Sequence, residues 1–262
     1  MPAHPSAATP WPDISLRDQV SADEWQTRVD LAACYRLAAH YRMSDQIYTH
    51  ISARIPGTET FLLNPYGTLY DEVRASWLVR VNLQGDILHD PTGLGINRAG
   101  FVIHSAIHGA RADAGCVMHT HTRAGIAVAA QAHGLLPLSQ HAMRFHDALA
   151  YHDYEGIALD LAERERLVAD LGPHHAMILR NHGLLTVGRT VREAFERMYF
   201  LELACQIQID ALAGGTKPHL PDDAIARKVA AQFENPGRTP VADRDWPALL
   251  RLLARHHADY AT

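Results

Sequence analysis

Residues 116–123 read CVMHTHTR, so that His119 and His121 follow a short apolar run and are separated by one residue. The apolar run predicts a β-strand, in which alternate side chains lie on the same side of the sheet. His119 and His121 would then point in one direction, with Thr120 on the opposite side. Two such imidazoles can bind one metal ion, although a half-buried strand with two hydrogen-bonded histidines explains the pair alone equally well.

A third histidine in a comparable setting favours a metal site. His182 lies in LRNHGLLTVG, at a tight Asn-His-Gly turn between two apolar runs, where a rigid scaffold can direct a loop side chain. Three neutral imidazoles suit Zn²⁺, and a site with three protein ligands leaves a position open for substrate or water. We therefore predict that His119, His121 and His182 bind a divalent metal, Zn²⁺ first, with Mn²⁺ or Fe²⁺ as alternatives.

The composition is typical of a soluble globular protein and limits the possible partners without naming one. The chain has 262 residues, a net charge of -5 and 47% hydrophobic residues, without a basic region suited to nucleic acid or an anionic membrane. No apolar run approaches the roughly 18 residues of a membrane span, and the amino terminus does not resemble a signal peptide. The three cysteines show no C-x-x-C spacing, so neither a disulfide framework nor a thiolate zinc site is indicated. We expect a cytoplasmic location.

Hydrophobic periodicity predicts helices that alternate with short strand pairs. Residues 1–20 are rich in proline and alanine and are expected to form a mobile arm, after which Ser21 and Glu24 form a capping-box signal for a helix. Strands are predicted at 47–55, 60–64, 77–88, 116–121 and 175–188, and helices at about 21–43, 98–111, 123–132, 158–171 and 191–213. This alternation favours an α/β layered sandwich, and its short hairpins favour a largely antiparallel sheet. Residues 216–262 are predicted to form a proline-rich tail with one or two short helices.

The stretch 97–139, NRAGFVIHSAIHGARADAGCVMHTHTRAGIAVAAQAHGLLPLS, resembles the class II aldolase/adducin superfamily, as do AYHDYEG at 150–156 and MILRNHGLLTVG at 177–188. The likeness runs from about residue 21 to residue 215 and is closer to the adducin head domain than to the sugar-phosphate aldolases. The resemblance implies a three-layer α/β/α sandwich with a central, largely antiparallel sheet. It also implies a cyclic homotetramer with active sites between neighbouring subunits, and it implies that the three histidines are the metal ligands.

One position departs from the aldolase pattern. Aldolases of this superfamily carry a metal-proximal glutamate that acts as acid and base, and the corresponding residue here is Gly100, nineteen residues before His119. Glycine can neither bind metal nor transfer a proton, so a component of the aldolase mechanism is missing. Adducin heads, which are cytoskeletal interaction domains, share this Ala-Gly dipeptide.

The predicted substrate pocket departs from the sugar-phosphate members too. Those members hold phosphate with an asparagine, a Thr-Gly pair and a Ser-Ser pair, where this chain has His50, Tyr66-Gly67 and Arg98-Ala99. Arg98, at the start of its helix, could bind an anion together with exposed N–H groups, or it could be a solvated arginine. We expect a carboxylate-bearing or aromatic acid substrate.

Several residues are candidates for the acid or base that Gly100 lacks. His104 and His108 lie on one side of the same predicted helix, and an imidazole titrates near neutrality, although packing or support of a metal ligand is an equal alternative. His141 lies near the position of a tyrosine that a neighbouring subunit lends to the site in the family, and it is the preferred substitute. Tyr260 could close the site from a mobile carboxyl-terminal tail. AYHDYEG is expected to form a structural turn, or to supply an acidic residue that orients a ligating histidine.

Three functions remain in competition. The first is a metal-dependent lyase that cleaves or forms a C–C bond beside a carbonyl, by aldol cleavage or decarboxylation. Decarboxylation gains weight because it needs no base to remove a hydroxyl proton. The second is a non-haem Fe²⁺ oxygenase, although the usual two histidines and one carboxylate are not evident. The third is a non-catalytic, adducin-like interaction domain.

Overall fold

The architecture is an eight-stranded mixed sheet between helices. A computed structural model describes residues 14–156, 163–215, 217–234 and 241–262. The strands are β1 His50–Arg54, β2 Thr60–Leu63, β3 Val79–Asn82, β4 Ile87–His89, β5 Cys116–Thr120, β6 Ala150–His152, β7 Ala176–Leu179 and β8 Gly183–Gly188. Their order is β4-β3-β2-β1-β5-β8-β7-β6, and only the β6–β7 pairing is parallel. The predicted largely antiparallel sheet is confirmed.

The helices follow most of the predicted segments. They are α1 Ala22–His40, α2 Arg98–Ala110, α3 Arg123–Ala129, α4 Gln140–Met143, α5 Glu163–Leu171, α6 Val191–Leu212, α7 Asp223–Glu234 and α8 Val241–His256. Ser21 caps α1, because its Oγ accepts a hydrogen bond from the Glu24 N–H at 3.2 Å. α6 ends beside Gly214, whose φ of 80° suits a residue without a side chain.

Alternate residues of β5 face two separate apolar cores. Cys116 and Met118 belong to the larger core with residues of α1 and α6, whereas Val117 belongs to a second core with residues of α2 and α5. Because successive side chains of a strand point to opposite faces, the sheet lies between two helical layers. The three-layer α/β/α sandwich expected from the sequence is confirmed.

The face beneath α2 carries a buried polar stripe in an otherwise apolar layer. His50 of β1 lies directly opposite His119 of β5 in the antiparallel register, so both side chains lie on the same side of the sheet. Ser52 is two residues further along β1 and shares that side. α2 lies over β1 and β5, and its His104 and His108 are fully buried against this stripe. The strand register places His50 and His119 together, and α2 adds His104 and His108 to the same buried layer.

The two ends of the chain pack onto this sandwich. Residues 1–13 of the predicted arm lie outside the described residues, but Leu16 is buried and its N–H donates to Ser76 Oγ at 3.3 Å. At the other end α8 packs on α6 and α1. Trp246, Leu253 and Tyr260 belong to the larger core. Both ends thus contribute buried side chains to the sandwich.

The residues at 150–156 differ from their predicted turn. Ala150–His152 form the edge strand β6, and residues 153–156 after it are irregular. A strand of three residues is too short for an alternating pattern to be recognised.

Within the described residues, the helices include none with the length and apolar character to traverse a lipid bilayer.

Candidate metal centre

Three imidazoles meet where β5 ends and the β7–β8 hairpin turns. His119 is buried on β5, His121 follows the last residue of that strand, and His182 lies in the turn. Nε2 of His121 is 2.9 Å from Nε2 of His119 and 2.9 Å from Nε2 of His182. One nitrogen from each residue thus points to a common centre, and the three ligand atoms lie within 4.8 Å of one another.

The outer nitrogens of two of these rings have partners that orient them. Nδ1 of His119 lies 2.9 Å from the Leu184 carbonyl oxygen, which can only accept, so Nδ1 carries the proton and Nε2 presents a lone pair. Nδ1 of His121 donates in the same way to Asp45 Oδ2 at 3.1 Å. Such partners of the outer nitrogen fix the tautomer and the ring orientation of metal-binding histidines. Sequence reasoning missed Asp45, which lies in the loop between α1 and β1.

Burial keeps the imidazoles of His119 and His182 neutral. Burial, with the nearby His182 and His121 adding to it, holds the pKa of His119 well below its usual range. Burial, followed by the effect of His121, lowers the pKa of His182 to about 4. Metal binding requires the unprotonated imidazole, so at neutral pH these groups are already in the form that a cation needs. The donor set of three converging imidazoles fits a divalent metal such as Zn²⁺.

The Asn-His-Gly sequence of the turn has a local cause. Asn181 has a φ of 54°, a left-handed conformation that asparagine tolerates better than most residues. A side chain at Gly183 would overlap the backbone carbonyl of Thr120, so only glycine allows β8 to begin this close to the end of β5. The turn is thereby held against β5, which carries His182 to the other two histidines.

Comparison with known proteins now identifies the family. Residues 29–209 match the family described as "Class II Aldolase and Adducin N-terminal domain". The chain belongs to this family. An aldolase II superfamily protein from Pseudomonas syringae, known from a crystal structure, is 56% identical, with a TM-score of 0.92 over 95% of this chain and 100% of that one.

Other relatives include both a named aldolase and an adducin. L-fuculose 1-phosphate aldolase from Glaciozyma antarctica PI12 is 26% identical with a TM-score of 0.80, over 95% of this chain and 96% of its own. Alpha-adducin of Mus musculus is 43% identical over an alignment of 265 residues, which covers 94% of this chain but only 35% of the adducin. Membership alone therefore does not choose between catalysis and a non-enzymatic role.

The buried histidines beside the metal centre form a hydrogen-bonded chain. His50 Nδ1 lies 2.7 Å from His104 Nε2, and His104 Nδ1 lies 2.5 Å from Ser52 Oγ. Ser52 Oγ is also 2.7 Å from His108 Nε2, and His108 Nδ1 is 3.0 Å from the Ala114 carbonyl oxygen. The sequence singled out His50, His104 and His108 as candidates, by family position or by helical spacing, but not Ser52, which links His104 to His108.

Gly100, at the position of the family glutamate, packs against His50, the first member of this hydrogen-bonded series. A Cβ built on Gly100 would lie 2.6 Å from Cγ of His50 and closer still to Cδ2 and Nε2. The imidazole of His50 thus occupies the space that any side chain at residue 100 would need. Residue 100 must therefore lack a side chain as long as His50 keeps this position.

The predicted anion site at the start of α2 is partly occupied by the chain itself. Asn97 Oδ1 accepts hydrogen bonds from the N–H groups of Ala99 at 3.1 Å and Gly100 at 3.4 Å. Arg98 is exposed, and its Nη1 donates to the Gly85 carbonyl oxygen at 3.2 Å. The idea that Arg98 and free helix N–H groups bind an anion together therefore needs correction, because the asparagine cap already satisfies two of those groups.

Tyr66, Gly67 and His141 are the remaining predicted residues, and they lie outside the three converging histidines. Tyr66 is 39% exposed beside Gly67, whose φ is 100°. His141 lies on α4, which packs against α6 and α7, and its ring centroid is 5.6 Å from that of Phe200. The role predicted for His141 concerns the site of a neighbouring subunit and stays a prediction.

Tyr260 is not on a mobile tail. Its ring is buried in the larger core, and the 3₁₀ turn that carries it contacts α1 and α8. Asp259 pairs with Arg36 at 3.1 Å, and the Thr262 carbonyl oxygen accepts from the Ser76 N–H at 2.9 Å. The expected mobility of this tail is corrected, because burial of the ring and these two contacts hold it in place, and the role of Tyr260 in the site stays a prediction.

Proposed function

We propose that this protein is a divalent-metal-dependent lyase that acts on a C–C bond next to a carbonyl of a small substrate. The observation that carries the proposal is the convergence of Nε2 from His119, His121 and His182, with the outer nitrogens of two rings already bonded. Three imidazole ligands leave a coordination position for a substrate oxygen. Zn²⁺ is the preferred ion, with Mn²⁺ or Fe²⁺ as alternatives.

Decarboxylation is the reaction that these residues support best, with aldol cleavage second. A divalent metal bound here would supply Lewis-acid polarisation of the substrate carbonyl. Aldol cleavage also needs a group to remove a hydroxyl proton, and Gly100 cannot do so. Loss of carbon dioxide from a 3-oxo acid requires no such base, because the electron pair of the broken C–C bond passes to the carbonyl and forms an enolate, which then takes a proton from solvent.

The substrate is proposed to be a small, non-phosphorylated carboxylate or aromatic acid. The three phosphate-holding elements of the sugar-phosphate members are replaced at His50, at Tyr66-Gly67 and at Arg98-Ala99. Arg98 stays exposed and can turn towards a carboxylate, although its helix N–H groups are partly used. The homotetramer of the family, with His141 contributed by a neighbour, belongs to the same proposal, as does a cytoplasmic location.

The two other functions rank lower. In the described ranges, the clustered donors are three imidazoles without a carboxylate, whereas the usual iron oxygenase site has two histidines and a carboxylate. Asp45 binds the outer nitrogen of His121 and is not part of the converging set. An adducin-like interaction role does not account for three imidazoles with oriented outer nitrogens.

Metal content tests the proposal most directly. The protein is purified without chelator and its metal is measured by elemental analysis, together with His119→Ala, His182→Ala and, as a control, the exposed His219→Ala. We expect about one zinc or manganese per chain in the wild type and the control, and loss from the other two variants. Stoichiometric iron would instead favour the oxygenase, and a wild type without metal would refute both enzymatic functions.

A ligand screen tests the substrate class. The metal-loaded protein is heated with 3-oxo acids, hydroxy acids and sugar phosphates, and the shift in Tm reports which of them bind the folded state. Carboxylates are expected to raise the Tm more than sugar phosphates, and hits are then assayed for release of carbon dioxide. Greater stabilisation by the phosphates would contradict the proposed substrate class.

A further inference from the structure

His50 and Gly100 form a matched pair beside the metal centre. The ring of His50 fills the volume in which a side chain at residue 100 would begin, and its centroid is 5.3 Å from that of the ligating His119. His50 is 5% exposed and lies on the same side of the sheet as His119. A polar group therefore occupies the place from which a carboxylate at residue 100 would reach the substrate.

The hydrogen-bonded chain behind His50 fixes where its proton lies. The Ala114 carbonyl oxygen can only accept, so His108 carries its proton on Nδ1 and accepts from Ser52 Oγ–H through Nε2. Ser52 has then used its one hydrogen, so its oxygen must accept from Nδ1–H of His104.

The hydrogen bond between His104 and His50 extends this series towards the metal centre. His104 Nε2 is left as an acceptor and takes the Nδ1–H of His50. Nε2 of His50 is then unprotonated, and within the described residues it has no hydrogen-bond partner on another residue. The carbonyl of a loop residue thus determines the tautomer of a ring that contacts the metal ligands.

We infer that Nε2 of His50 is the hydrogen-bond acceptor that faces the substrate in place of the missing glutamate. Ser52, His104 and His108 are positioning residues that hold His50 in this tautomer. The contact of His50 with a substrate rests on the lyase function proposed above, whereas the proton positions do not.

Electrostatics support neutral rings along the chain. Burial is the largest cause in each case, and it lowers the pKa of His50 to about 3 and that of His108 to about 3. Burial also holds the pKa of His104 well below its usual range. At neutral pH each ring carries one proton, which is the condition that the assignment of donors and acceptors requires.

Nitrogen NMR of the whole, metal-free protein tests the assignment. Selectively ¹⁵N-histidine-labelled protein in chelator at pH 7.5 is expected to show a protonated Nδ1 and an unprotonated Nε2 for His50, His104 and His108. Single His→Gln variants assign the resonances. A protonated Nε2 on His50 would overturn the inference.

Ser52 variants test the positioning role. Ser52→Ala removes the link between His104 and His108, and we expect His50 to lose its single tautomer while the fold persists by circular dichroism. Ser52→Thr retains the hydroxyl and should restore it. An unchanged His50 spectrum in Ser52→Ala would contradict the role of the chain.

A substrate-like probe tests whether the acceptor faces the open position. Acetohydroxamate chelates divalent metals through two oxygens and keeps an N–H donor. With zinc-loaded protein we expect His50→Phe, which keeps a ring of similar size, to weaken acetohydroxamate binding about tenfold, and His50→Gln, which restores an acceptor, to recover part of it.

Zinc content of each variant separates the two proposals. Equal probe affinity in wild type and His50→Phe, with zinc retained, would refute the role of His50 and leave the lyase intact. A wild type that binds no divalent metal would refute the lyase, and the NMR result would then decide the proton positions alone.

Discussion

Asp45 accepts a hydrogen bond from Nδ1 of His121 at 3.1 Å, on the side of the ring opposite the other two histidines. The carboxylate is 44% exposed, so solvent screens part of its effect. It still orients His121 and fixes the tautomer in which Nε2 faces the centre. The relationship joins the α1–β1 loop to the end of β5.

Replacement of Asp45 is therefore expected to weaken the metal centre without unfolding the protein. Asp45→Asn should lower zinc affinity about tenfold, near the small end of the range for such partners because the carboxylate is partly exposed. Competition with a chelating dye measures the Kd. Asp113→Asn, which alters an exposed carboxylate hydrogen-bonded to His175, is the matched control, and equal losses in both variants would argue against a role of Asp45 at the metal.

The pairing of His50 with Gly100 predicts a non-additive effect on stability. Gly100→Ala should destabilise the wild type by about 1–3 kcal/mol, since the new methyl group overlaps the His50 ring. In a His50→Ala background the same change should be neutral or stabilise by up to about 1 kcal/mol, as alanine usually does within a helix. Urea unfolding of the chelated protein gives the free energies.

Gly109, also on α2, is the control for this cycle. A Cβ at Gly109 would meet nothing within 4 Å, so Gly109→Ala should stabilise both backgrounds by about 0.5–1 kcal/mol. An equal cost of Gly100→Ala with and without His50 would show that the two residues do not compete for space.

The buried histidines predict a loss of stability in mild acid. The pKa of His50 and the pKa of His108 are each lowered to about 3 in the folded protein by burial, against about 6.5 when unfolded. Below pH 6.5 the unfolded chain binds protons that the folded chain does not, so stability falls as pH decreases towards 3. Each residue should contribute a loss of about 2 kcal/mol between pH 7 and pH 5.

Urea unfolding at several pH values in chelator measures this effect. His108→Gln should reduce the loss between pH 7 and pH 5 by about 2 kcal/mol, whereas the exposed His219→Ala should leave it unchanged. Identical pH profiles for wild type and His108→Gln would contradict the prediction.

A buried ion pair far from the metal centre predicts a large structural effect. Arg28 is fully buried and donates to Glu24 Oε1 through Nε at 3.0 Å and Nη2 at 2.8 Å, and to the Leu78 carbonyl oxygen through Nη1 at 2.7 Å. Glu24→Ala leaves the guanidinium without its carboxylate, so we expect a loss of about 3–5 kcal/mol in the free energy of unfolding.

An exposed pair serves as the comparison for Glu24. Asp243→Ala breaks the pair with Arg192, whose side chains are 45% and 38% exposed, and should change stability by no more than about 1 kcal/mol. Zinc content should be unaffected by either variant. A Glu24→Ala protein as stable as wild type would show that Arg28 finds another partner.

The sequence predicted those features that depend on local spacing. Hairpins, the Ser21 cap and the end of α6 follow from alternation, capping and glycine. His119 and His182 stood out because each occupies a short motif at the end of an apolar run.

The features that were missed depend on contacts between distant parts of the chain. Asp45 meets a residue 76 positions away, and Ser52 meets His104 and His108, 52 and 56 positions away. Neither a loop aspartate nor a strand serine carries a local signal, since only the β1–β5 register and the placement of α2 bring them to their partners. The three residues of β6 lacked a pattern for a different reason, their length.

The overlap between His50 and residue 100 also limits how this site could change during evolution. A carboxylate cannot be acquired at residue 100 while His50 keeps its position, and loss of His50 alone would leave a gap beneath α2 and an unpaired His104. Each single step is costly even if the double replacement is tolerated. We therefore expect relatives to carry either glycine with histidine or glutamate with a smaller residue at these two positions, and the two positions together should divide relatives into two groups more sharply than either alone.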